Sequence, residues 1–315
     1  MRRGLHRNLI PTRMAVKIRI HDRLRGPQNV RSFWGSFFFL FYQNQTMGIL
    51  NDRLLVVATL IFVATVNCYS QTETASKNDD KAEQIVQKAV QAVGGEAYLK
   101  LQSVIGRGFF TEYHQGVPGI PVRFLDYIIY PYRERTEFSG GGNRIVQTNE
   151  HDQGWIFDAA AKTIKDQTAQ QVADFKTGVR TSLENLLHGW WRKEGATLSY
   201  AGRREATLGR RNETVRLTYP DGFWIEYEFA AIEGTPAKVI YKRKQKNLDT
   251  DQMEETTEED YVHKPVSIAG VTSPLVIDHF RNRVQTSRIN YESIEYNKSV
   301  PDSLFTKPAN IKAIK

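Results

Sequence analysis

Residues 223–244 read FWIEYEFAAIEGTPAKVIYKRK, and this stretch decides the fold class. Side chains alternate across a strand, so Phe223, Ile225, Tyr227 and Phe229 share one face. Trp224, Glu226 and Glu228 share the other, which is expected to be a solvated side with one aromatic. Gly234, Thr235 and Pro236 then break the run, and a second β-branched stretch follows, the signature of an antiparallel hairpin.

The same grammar extends in both directions. Upstream lie SVIGRGFFTEYH, VRFLDYIIYPYRERTEF and RIVQT, the last entered through a Ser139–Asn143 turn with three glycines, and QGWIFDAAAKTIKDQ reads as two short strands. Downstream lie EEDYVHKP, PLVIDHFRN and TSRINYESIEYN, and before the hairpin ATLSYAGRREATLG and ETVRLTYP. Strands at this spacing without alternating helices exclude parallel βαβ winding and predict a mainly β chain. The expectation is a curved antiparallel incomplete barrel with one short N-terminal helix and one covering helix. Residues 247–259 are acidic and are expected to form a solvated hairpin loop.

The N-terminal helix is marked by Ile85, Val86, Ala89, Val90 and Val93 at helical spacing. Asp80 and Glu83 resemble a capping box, and Gly94 and Gly95 stop the helix. The covering helix spans residues 169–193, with a stripe of Val172, Phe175, Val179, Leu183, Leu186, Leu187, Trp190 and Trp191 that Gly178 interrupts.

In VRFLDYIIY both faces are apolar, Leu125, Tyr127 and Ile129 on one and Phe124, Ile128 and Tyr130 on the other. A strand apolar on both faces is covered on both faces. A filled core beneath the sheet with a helix above it satisfies this pattern. A curved sheet around an apolar hollow that holds an acyl chain also satisfies it. On the second reading the hollow is lined by Leu125, Tyr127, Ile129, Trp155, Phe157, Leu187, Trp190, Trp191, Phe223, Ile225, Tyr227 and Phe229.

The chain carries 43 Lys and Arg against 35 Asp and Glu, and its isoelectric point is near 9.4. Residues 1–70 hold ten of the basic residues and two of the acids, so residues 71–315 balance at 33 of each. A neutral body argues against a nucleic-acid partner. From Met47 the sequence has a signal-peptide layout: Arg53, an apolar run over 54–66, and small residues at Cys68 and Ser70 before Gln71. This thirteen-residue run makes a helix of about 20 Å, short of the roughly 30 Å hydrocarbon core, against a permanent membrane helix. Cys68, the sole cysteine, has Thr65 and Asn67 where a lipobox wants Leu and a small residue, so acylation there is disfavoured. Residues 1–46 read as an extension preceding a start at Met47, and 71–80 as a flexible mature N-terminus. Residues 81–315 then form one β domain, exported to a periplasm or secreted.

No recognisable chemical site emerges. The histidines of the body lack ligand spacing, and Glu150-His151-Asp152 is the one dense cluster. Asp249-x-Asp251 begins like a calcium loop, but Met253 and Glu254 stand where a ligand and a glycine are needed. There is no Gly-x-Ser-x-Gly elbow and no body cysteine. A noncanonical enzyme site would require Glu150, Asp152 and His263 to converge. The run Lys242-Arg243-Lys244-x-Lys246 is explained by the acidic loop beside it.

The order of these features resembles LolA-like and LppX-like periplasmic lipoprotein carriers. The likeness is carried by the helix ending in Gly94-Gly95 before Ser103-Val104, by the 223–244 hairpin, and by the closing run GVTSPLVIDHF…ESIEYNKSVPDSLFTKP. It implies a LolA-like half-barrel and a non-enzymatic carrier of acyl chains or lipoproteins. It also implies a monomer without cofactor or metal, making transient contact with membrane or envelope protein. The alternative is an envelope interaction or sensor module on the same fold, with a filled interior and an exposed apolar patch.

Overall fold

A computed structural model describes residues 79–246 and 252–314. The expectations for the leader, Cys68, residues 71–78 and Asp249 lie outside the described residues. Helix α1 (Asp80–Ala92) leads through a single turn, α2 (Glu96–Leu99), into the sheet. Strands β1 (Ser103–His114), β2 (Val117–Pro118), β3 (Val122–Ile129), β4 (Arg133–Gly140), β5 (Asn143–Glu150), β6 (Gln153–Asp158) and β7 (Thr163–Asp166) follow. After a helical segment come β8 (Thr197–Thr207), β9 (Arg210–Thr218), β10 (Trp224–Ala230), β11 (Pro236–Lys246), β12 (Met253–Ile268), β13 (Val271–Arg281) and β14 (Val284–Tyr296).

These strands form one antiparallel sheet in the order β7-β6-β5-β4-β3-β1-β14-β13-β12-β11-β10-β9-β8, with the short β2 folded onto β1. The sheet is not closed, so the mainly β, incomplete-barrel expectation stands. Its two edges, β7 and β8, are consecutive in the chain. The segment between them must therefore travel from one edge of the sheet to the other. A bulge at Arg107/Gly108 bends the central strand β1. A Cβ on Gly108 would lie 1.9 Å from the Asn290 carbonyl oxygen, so only glycine permits this approach.

Three details differ from the sequence reading. The cap of α1 is Asp79, not Asp80; it accepts from the Lys81 and Ala82 amides and also from Tyr200 N of β8. The covering helix is broken: α3 (Ala169–Thr181), α4 (Leu183–Leu187) and a 3-10 turn (Trp190–Glu194). The break falls at Ser182, whose ψ of 148° leaves the helix and whose hydroxyl accepts from Asn185 N to start α4. Gly178 stays inside α3, buried. Finally, residues 253–259 belong to β12 and not to a loop, with Thr256 and Glu258 buried. Each pairs across to β11, opposite Arg243 and Tyr241.

Candidate functional site

Residues directly opposite in an antiparallel sheet point the same way, so register identifies the face toward the helices. The row Ile225, Tyr241, Glu258, Arg281 belongs to it, as does Tyr227, Val239, Asp260, His279. Through β14 and β1 the same face continues to Phe110, Phe124, Ile128 and Phe138. Tyr130, at the end of β3, packs in both of the larger apolar clusters and links the two halves.

Over β8–β11 this inner face is apolar and filled. Leu183, Leu186, Leu187 and Trp191 of the strap between the sheet edges pack with α1 and with Leu198, Leu217, Ile225, Tyr227 and Phe229. The strap is also fixed by polar bonds that the buried side chains need. Tyr227 OH donates toward the Arg180 and Ser182 carbonyls at 3.3 Å, Asn185 Nδ2 donates to Tyr219 OH at 2.7 Å, and Trp191 Nε1 donates to Leu186 O at 3.2 Å.

Over β3–β5 the inner face is different. Asp126, Thr136 and Gln147 stand opposite one another on successive strands, and Glu134 stands opposite Asn149 in the next row. All five are buried. Burial pushes the Asp126 carboxyl up to about 7, with the Thr136 hydroxyl beside it acting the other way. The strap adds Glu184, 1% exposed, whose carboxyl is raised well above the ordinary range by burial. Its Oε1 accepts from Tyr98 OH at 3.1 Å. His188, stacked on Trp190 at 4.7 Å, is pushed down to about 4 by burial. A cavity of about 10 Å3 lies between Ile128, Glu134, Phe175, Glu184 and Trp190, and a second of about 20 Å3 lies beside Tyr98, Leu183 and Ser273. Each has room for about one water.

The expected ligand set therefore splits between two sides of the sheet. Leu187, Trp191, Ile225, Tyr227 and Phe229 share one cluster with Phe223 against it, and Trp190 lines the small cavity. Leu125, Tyr127 and Ile129 point to the outer face, half-buried, because Phe124, Asp126 and Ile128 take the inner one. Trp155 and Phe157 are also outside, buried with Val146 beneath the C-terminal tail. There Trp155 Nε1 donates to Phe305 O at 2.8 Å and Arg135 donates to Leu304 O at 2.6 Å.

The expected solvated face of β10 is corrected too. Glu226 and Glu228 are buried, 4% and 6% exposed. Arg204 bridges both carboxylates at 2.6 and 3.2 Å, Arg216 holds Glu226 at 2.6 Å, and Asn212 Nδ2 donates to Glu228. Long arginine stems cover the acids they neutralise. Glu150, Asp152 and His263 do not converge: they pair separately with Arg133, Lys176 and Asp278. In the sheet β4, β3, β1, β14 and β13 separate β5 from β12. Among the described residues no cluster of metal-ligating side chains occurs, and no helix is long and apolar enough to cross a membrane.

The polar inner row was missed by sequence reading. The available signals were Asp126 in the middle of an apolar strand and Glu184 inside LENLL.

No family model matches the chain, and no curated protein matches it. Solved structures do. A DUF1329 family protein from Desulfovibrio piger is similar with a TM-score of 0.50 at 12% identity, over 72% of this chain and 98% of that one. The fold of this chain is similar to that of the DUF1329 family protein. A LolA superfamily protein from Nitrosomonas europaea gives 0.47 at 13% identity, over 72% and 97% of the two chains. An outer membrane lipoprotein-sorting protein domain from Vibrio parahaemolyticus gives 0.47 at 9%, over 71% and 96%. At such identities the likeness is one of fold alone.

Proposed function

We propose that this protein is an exported, non-enzymatic binding protein of the carrier type, taking an acyl-bearing ligand between the inner face of its half-barrel and the strap. One observation supports this above others: the two open edges of the sheet are joined by one helical segment, 169–194, that lies across the concave face. A sheet built this way encloses a space whose access depends on a single movable element. In the closed form seen here the space is occupied by Phe175, Leu187 and Trp191, so ligand entry requires displacement of part of the strap. The body, residues 81–315, acts as one domain, and its balanced charge suits an apolar cargo better than nucleic acid.

Mass spectrometry of protein purified without detergent is expected to find a co-purifying lipid, and the emptied protein to take up a fluorescent monoacylglycerol. Absence of both the co-purifying lipid and the uptake would sink the carrier reading. The second reading, an envelope interaction module, is supported by the filled interior and by two exposed aliphatic residues on neighbouring turns, Leu208 at 99% and Ile232 at 84% exposure. That module binds no lipid and loses its partner when Leu208 and Ile232 are both changed to Ser.

A further inference from the structure

The inner face over β3–β5 carries polar side chains that the fold itself does not use. Gln147 and Asn149 are 3% and 1% exposed. Oε1 of Gln147, both Oδ1 and Nδ2 of Asn149, and Oδ1 of Asp126 have no hydrogen-bond partner within the described residues. Across the interior, Oε2 of Glu184 is in the same state. Burying such groups without partners is costly, and a fold that only needed a core would place apolar residues there. They lie on one face, on adjacent strands, in rows that the register makes continuous, and Glu134 of those rows lines the same cavity as Glu184.

The charges that face this patch decide what it can accept. Glu134, Glu184 and Asp174 are acidic. Arg243 is committed to Asp174, and Arg281 to Glu258. Arg133, which lines the same cavity, is paired with Glu150 and Asp302, so among the described residues a phosphate would meet carboxylates and no uncommitted cation. An uncharged group with hydroxyls or amides would meet an acceptor on Gln147 and both a donor and an acceptor on Asn149.

We propose that Gln147 and Asn149 form a head-group subsite for an uncharged, hydrogen-bonding amphiphile, reached when α3 lifts from the sheet. This deepens the carrier reading and rests on it. α3 is the part of the strap that covers the patch. It is held there by Phe175 and Val179, by Asp174 paired to Arg243 of β11, by Lys176 paired to Asp152 of the β5–β6 turn, and at its C-terminal end by Arg180 paired to Asp221 and Glu194. The acyl chain then takes the place of Phe175 beside Ile128, and the head group satisfies the orphaned amides.

Calorimetric titration of the full, delipidated chain with 1-palmitoylglycerol and with hexadecyl phosphate tests the assignment, since the two share a chain length and differ in head group. Wild type is expected to bind the glyceride at least tenfold more tightly. Gln147→Leu and Asn149→Leu are expected to bring the ratio below threefold while hexadecyl phosphate binding is kept. Equal affinities in wild type, a preference for the phosphate, or an unchanged ratio in variants that melt cooperatively would each overturn the subsite and leave the carrier reading intact. Failure of wild type to bind either amphiphile would overturn both. The wild-type comparison alone decides if the variants do not fold.

Discussion

Asp126 makes a pH-dependent demand on this fold that can be put in numbers. Its side chain is 2% exposed on the inner face of β3, and burial raises its pKa from 3.8 to about 7. A carboxyl whose folded pKa exceeds its unfolded value binds more protons folded than unfolded. Stability is therefore unaffected by this group below about pH 4 and falls as pH rises toward 7. The gap is about three pH units at about 1.4 kcal/mol each, so carrying the charge costs up to about 4 kcal/mol above neutrality. Asp126→Asn keeps the shape and removes the charge. Guanidinium unfolding of both proteins should give equal stabilities near pH 4, a gain for the variant of about 2 kcal/mol near pH 5.5, and a gain of up to about 4 kcal/mol near pH 8. A difference that stays flat with pH, or a variant less stable than wild type near pH 8, would refute the reasoning. Either result would mean the carboxylate has compensation inside the fold.

Adjacent tryptophans on the strap should separate cleanly: Trp191→Ala, at a fully buried position, should cost about 4 kcal/mol in chemical unfolding, and Trp190→Ala, half-buried, about 1 kcal/mol. Arg204→Met leaves Glu228 with Asn212 and Glu226 with Arg216 alone. Because Arg204 is itself 37% exposed, thermal unfolding should register a loss of about 2 kcal/mol, smaller than for a fully buried pair. Phe305→Ala removes a buried ring stacked under Arg133 and should cost about 3 kcal/mol while hastening exchange of the Trp155 indole N–H, followed by NMR. Amides of α3 should exchange with solvent faster than those of α4, because every residue of α4 is buried whereas α3 buries Asp174, Phe175, Gly178, Val179 and Thr181 of thirteen. Equal protection in the two would show the strap moving as one piece.

The β class, the strand spacing, the two-sided apolar character of β3 and the apolar face of β10 were legible because each is a local pattern of period two. What stayed hidden depended on phase and partner. VRFLDYII has apolar residues on both faces, so nothing local says which face turns inward. The pairing of Phe124 with Gly108 and Phe138, and of Ile128 with Val104, decides it. Leu125, Tyr127 and Ile129 go outside for that reason alone. Glu226 and Glu228 look solvated in isolation, and they are buried because Arg204 and Arg216 arrive from neighbouring strands. Local propensity marks Gly178 as the breaker of the covering helix, yet the break falls at Ser182. The serine hydroxyl, by capping α4, makes a restart there cheaper than continuing α3.

These corrections change what kind of interior the half-barrel has. An apolar hollow lined evenly around the sheet would bind a chain without regard to its end. Here the β8–β11 half is a closed core that the strap's second part completes, and the β3–β5 half sets a polar row beside its own apolar cluster of Phe124, Ile128, Phe138 and Ile145. Ser182 divides the strap at the boundary between them, with Tyr227 OH bonded to the carbonyls on both sides of the break. Apolar packing therefore anchors α4, and a few contacts plus four ion pairs, two of them on Arg180 at its C-terminal end, hold α3. Cutting the Asp174–Arg243 and Lys176–Asp152 pairs loosens the part that covers the orphaned amides and leaves Arg180 as the hinge-side anchor, so access to the polar row is separable from the packing of α4.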